Sequence, residues 1–134
     1  NGLQGTFVNA PVSENGFVVD NFLGDKHLDI LHSDIQGSEV IMLNGSKKAL
    51  ARRAIDYFFI STHADSLHDE CLHILKSYNY ATIDVCAESS FCHDGVIVAS
   101  SPNVEPLEII MSDRKTTSLI PEQELDALLA NLPF

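Results

Sequence analysis

Three residues in this chain could handle a proton together: Asp34, Glu39 and His63. Asp34 and Glu39 share one polar stretch, Ser33-Asp34-Ile35-Gln36-Gly37-Ser38-Glu39. His63 lies in another, Ser61-Thr62-His63-Ala64-Asp65, which reads as a turn. Each stretch follows an apolar run. In parallel α/β sheets, ligands bind beyond the carboxyl ends of the strands. If the two runs are neighbouring strands, the three side chains converge at one edge. A carboxylate and an imidazole there could take a proton from a substrate hydroxyl, or hold a cation. Each residue taken singly has a plainer explanation: Asp34 and Ser38 as helix caps, His63 as a loop histidine satisfied by backbone.

The elements that must position them follow from pattern. Residues 1–18 show no sustained period and read as an irregular arm, with a short strand over Gly16–Val19. Asp20 to Gly24 reads as one helical turn closed by glycine. His27 to Ser33 is an apolar strand. Ser38 then caps a helix carrying Val40, Leu43, Leu50 and Ala54, which Asn44-Gly45-Ser46 splits or kinks. Ile55 to Ile60 is nearly continuous apolar, as in a parallel strand covered on both faces. In segment 66–78, Leu67, Cys71, Ile74, Leu75 and Tyr78 form the clearest amphipathic helix. Tyr80–Ala87 and Gly95–Ser100 read as strands paired antiparallel, and Glu122–Leu132 as a last helix. This order predicts an α/β sheet, mostly parallel, with one reversed strand.

Composition narrows the class. The 134 residues are 45% hydrophobic and 20% charged, which predicts one soluble globular domain. No apolar run reaches the roughly 18 residues of a membrane span. Eight Lys+Arg face 19 Asp+Glu, a net charge of −11, so neither nucleic acid nor an anionic membrane is an expected partner. The three cysteines predict a reducing, cytoplasmic setting rather than a disulfide scaffold. The opening residues have neither the basic start nor the apolar core of a secretory signal. With no initiator Met at its head, the native start is expected to lie elsewhere.

The stretch LHSDIQGSEVIMLNGSKKAL resembles the signature of the FkbM family of S-adenosylmethionine-dependent methyltransferases. Asp34-Ile35-Gln36-Gly37, Ser38-Glu39, Leu43 and Gly45 stand at its characteristic positions. The stretch IDYFFISTHADSLHDECLHILKSYNYAT and the turn Val19-Asp20-Asn21-Phe22-Leu23 resemble the same family, so the likeness covers residues 18 to 100. Ser61-Thr62 depart from it, since many relatives place a Glu before the His.

The resemblance implies the C-terminal half of a Rossmann-like class I methyltransferase sheet. The strand at 28–33 would be its fourth, and the hairpin its sixth and seventh, the last slotting beside the fifth. It divides the chain into an arm (1–18), that half-domain (19–100) and a tail with a short helix (101–134). It also implies an O-methyltransferase acting on a small-molecule hydroxyl, with Asp34, Glu39 and His63 in catalytic positions. The donor, S-adenosylmethionine, would be held mainly by a half that this stretch does not supply, because Gly2 and Gly5 follow no strand and open no helix. On its own the chain is expected to be inactive.

A non-catalytic α/β module binding a ligand or partner is the competing expectation. A strand edge at 28–33 left unpaired would favour self-association. No metal site is expected: Cys86, Cys92 and His93 lack the tight spacing of structural zinc, and Cys71 reads as a buried thiol.

Overall fold

A computed structural model of the chain describes residues 4–85 and 95–108. The expected helix at 122–132 and the Cys86–Cys92–His93 group lie outside the described residues. The elements are α1 (Val19–Leu23), β1 (Leu28–Ser33), α2 (Glu39–Asn44), α3 (Lys47–Ala51), β2 (Ile55–Thr62), α4 (Asp65–Ser77), β3 (Ala81–Val85) and β4 (Gly95–Ser100).

The four strands form one sheet in the order β1-β2-β4-β3. β1 and β2 are parallel, and β4 is antiparallel to both β2 and β3. Thus β1, β2 and β3 run one way, and the last strand is inserted in reverse between β2 and β3. The fold is a mixed α/β sheet. β1 lies at its edge among the described residues, with Ile30 exposed.

The core is built where helices meet the sheet. Leu43, Leu50, Ile55, Phe58, Ile60, Leu75 and Ile97 are fully buried, each contributing roughly 1.5–3 kcal/mol by removal from water. Phe58 meets the edge of Tyr80 at 5.4 Å, and the Tyr80 hydroxyl donates to the Ile55 carbonyl at 2.8 Å. The Asn44-Gly45-Ser46 break does split one helix into two. Buried Ser46 turns its hydroxyl back to the Met42 carbonyl at 2.7 Å.

Asp20 reaches across from α1 to start α3. Its carboxylate accepts the Lys48 and Ala49 amides at 2.9 and 2.8 Å. These are the second and third amides of α3, the pair that an N-cap side chain ordinarily satisfies.

Several expectations need correction. Gly16–Val19 forms no strand: one isolated bridge joins Val12 to Phe17, and Val19 already begins α1. β2 runs on through Ser61 and Thr62, because these pair with Val96 and Gly95 of β4. It is not sealed on both faces: Phe58, Ile60 and Thr62 are buried, whereas Tyr57, Phe59 and Ser61 are half-buried. The buried stripe of α4 is His68, Cys71, Leu72 and Leu75, rotated by one position so that Leu67 is only half-buried.

Candidate functional site

The turn after β1 is shaped by its own backbone. Gln36 has φ +49° and Gly37 φ +103°, two consecutive left-handed residues, and glycine takes the second without steric penalty. This conformation aims the amides of Ile35 and Gly37 at one carboxylate. Glu39 accepts both, at 3.3 and 2.9 Å, and its side chain has no exposed surface. Ser38 occupies the N-cap position of α2 but makes no side-chain cap bond. The expected cap by Ser38 is thus replaced by Glu39 folding back onto the turn.

His63 follows β2 directly and meets this turn. Its Nε2 lies 3.3 Å from Asp34 Oδ1, and its Nδ1 lies 3.5 Å from Glu39 Oε1. Both are charge-pair approaches without hydrogen-bond geometry, and Nδ1 is buried without a hydrogen-bond partner among the described residues. The three side chains grade from Glu39, fully buried, through His63, 25% exposed, to Asp34, 56% exposed. They form a carboxylate–imidazole–carboxylate chain running from the interior to solvent. The parallel pairing of β1 with β2 brings together all three residues singled out in the sequence.

The arrangement has a definite chemical capacity. With Glu39 on its buried Nδ1 side, the ring presents Nε2 towards the more exposed side as the atom able to accept a proton from an incoming group. Asp34, half exposed beside Nε2, is placed to hold a polar group of an incoming molecule. An apolar cavity of about 290 Å³ lies along β1, lined by Phe22, Leu28, Ile30, Leu31 and Met42. Ser33 and Ile35, the residues on either side of Asp34, also line it. The Ser33 hydroxyl is buried without a hydrogen-bond partner among the described residues.

A second histidine network went unseen in the sequence. His68 Nδ1 lies 2.7 Å from Thr62 Oγ1 and its Nε2 3.0 Å from Asp84 Oδ1, while the Thr62 hydroxyl donates to the Gly95 carbonyl at 3.1 Å. A Cβ at residue 95 would stand 2.5 Å from the His68 ring, which explains glycine there. This network ties α4 to β2, β3 and β4 immediately before His63. The available signal was that His68 stands three, four and seven residues before Cys71, Leu72 and Leu75 on one helical face.

Cys71 is fully buried. Burial, and then the Glu39 and Glu70 charges, push its thiol up to about 12, which leaves it a core group rather than a nucleophile.

No family model, no curated protein and no solved structure matches this chain. Among the described residues, no helix is long and apolar enough to cross a membrane.

Proposed function

We propose that this chain is part of an S-adenosylmethionine-dependent O-methyltransferase of FkbM type, in which His63 takes the proton of an acceptor hydroxyl. The Glu39–His63–Asp34 chain at the carboxyl ends of two parallel strands carries this reading. The direction and order of the four strands support it, since they are those the resemblance requires of the fourth to seventh strands of such a sheet.

The division of labour follows from burial. Glu39 is held by two backbone amides and places its negative charge 3.5 Å from Nδ1 on the buried side of the ring. His63 Nε2 receives the hydroxyl proton. Asp34 holds the acceptor by hydrogen bonding, so that positioning supplies much of the rate. The described residues do not fit the donor itself: no glycine-rich turn opens a helix after a strand, and the turn of Gln36-Gly37 is taken up by Glu39. Donor binding is therefore assigned to polypeptide that would continue the sheet beyond the outer edge of β1, which pairs with no further strand among the described residues.

Calorimetry with S-adenosylmethionine tests the assignment. These 134 residues alone should not bind it, whereas the intact protein should. Binding by the chain alone would contradict the half-domain reading. In the intact protein, Asp34→Asn and His63→Gln should lower methyl transfer from the labelled donor, and unchanged rates would remove their assigned roles.

The cavity along β1 favours a second reading, a module that binds a ligand or partner without catalysis. It predicts tight binding of an apolar probe that survives His63→Gln.

A further inference from the structure

We propose that His27, Asp29 and Asp56 form a site for a divalent transition-metal ion of the zinc class, clipping β1 to β2 at their amino ends. His27 Nε2 lies 2.9 Å from Asp56 Oδ2 and 4.0 Å from Asp29 Oδ1, and the three ligand atoms lie within 4.8 Å of one another. His27 and Asp29 are two residues apart at the start of β1, a spacing that puts both on one face of an extended chain.

The strand register supplies the second observation. Leu28 pairs with Ile55 and Ile30 with Tyr57, so Asp29 and Asp56 stand opposite each other across the parallel pair. Like charges directly opposite destabilise a sheet, and a cation between them turns that cost into an attraction. Two carboxylates match the charge of a dication.

The donor set selects the metal. One imidazole nitrogen with two carboxylate oxygens suits zinc and its first-row neighbours, whereas calcium and magnesium take oxygen ligands. Metal–ligand bonds of about 2.0–2.2 Å place neighbouring ligand atoms roughly 3–3.5 Å apart. The His27–Asp56 pair, at 2.9 Å, needs to open by only a few tenths of an ångström to reach that spacing. Asp29, with its side chain 92% exposed, is free to rotate inward, and water completes the shell. On binding, the Nε2 lone pair coordinates the metal, the proton it carried is released to solvent, and the neutral ring keeps its proton on Nδ1. The site lies at the opposite end of β1 from Asp34, about 20 Å away at 3.3 Å per residue. Its role is therefore structural, and it is independent of the proposed reaction.

Titration calorimetry with zinc chloride tests this, on a Cys86→Ser/Cys92→Ser background that removes thiol ligands. A single ion should bind per chain, with magnesium and calcium far weaker. Affinity should fall about tenfold or more in His27→Gln and in Asp56→Asn, and stay unchanged in His73→Gln. His27 and Asp29 are exposed, so His27→Gln should keep the native circular dichroism spectrum. The His27 ring resonances should shift with added zinc. Absence of binding, or binding that survives His27→Gln, would overturn the proposal.

Discussion

A carboxylate without exposed surface must find donors inside the protein, and Glu39 finds them in the amides of Ile35 and Gly37. In Glu39→Gln one amide position would turn an NH2 group toward these donors. The variant should unfold about 1–3 kcal/mol more easily, as read by urea denaturation. Cys71 makes the opposite case, a group that stays neutral. Its thiol is raised by burial from 9.0 to about 12, so the fold disfavours ionisation. The stability this neutrality contributes is full below about 9 and is lost as pH rises towards about 12. With Cys86 and Cys92 replaced by Ser, a thiol reagent at pH 8 should react only when urea unfolds the chain.

At the scale of elements, short helices here depend on one another. α3 has five residues, too few to form alone, and its amino end is satisfied by Asp20 of α1. Asp20→Ala should cost about 1 kcal/mol in thermal or urea unfolding, and Asp20→Asn less, since an amide oxygen still accepts one bond. An unchanged midpoint in Asp20→Ala would show that water replaces the carboxylate at no cost. The His68 network does similar work at the end of β2, where Thr62 is bonded to both His68 and the Gly95 carbonyl and His63 follows it directly. It also accounts for the strand running two residues past its apolar stretch: Ser61 and Thr62 are polar, but β4 pairs with both.

For the molecule as a whole, β1 is an edge strand of the described sheet. Its outer edge meets no described strand, Ile30 and Phe22 are exposed, and an apolar cavity runs alongside. Such an edge is a template for pairing with another chain. Sedimentation equilibrium should show concentration-dependent self-association of the chain, and Ile30→Lys should shift it towards monomer. A clean monomer at all concentrations would remove the edge as a docking site.

Local pattern was enough to find most elements. Periodicity marks α4, apolar runs mark β1 and β2, and Asn44-Gly45-Ser46 marks the break between α2 and α3. The polar turns after β1 and β2 also name Asp34, Glu39 and His63 from sequence alone, because such loops follow strands in α/β folds. Other features depended on partners remote in the chain. Glu39 is a buried anchor rather than a first-turn surface charge because the Gln36-Gly37 backbone turns two amides onto it. His68 is a core residue because Thr62 and Asp84 approach it from different strands. Asp29 and Asp56 face each other only through the register of β1 on β2, 27 positions apart in sequence. Periodicity reports which face of an element is apolar; it carries no information about which polar group from elsewhere will meet it, and that pairing is decided by tertiary packing.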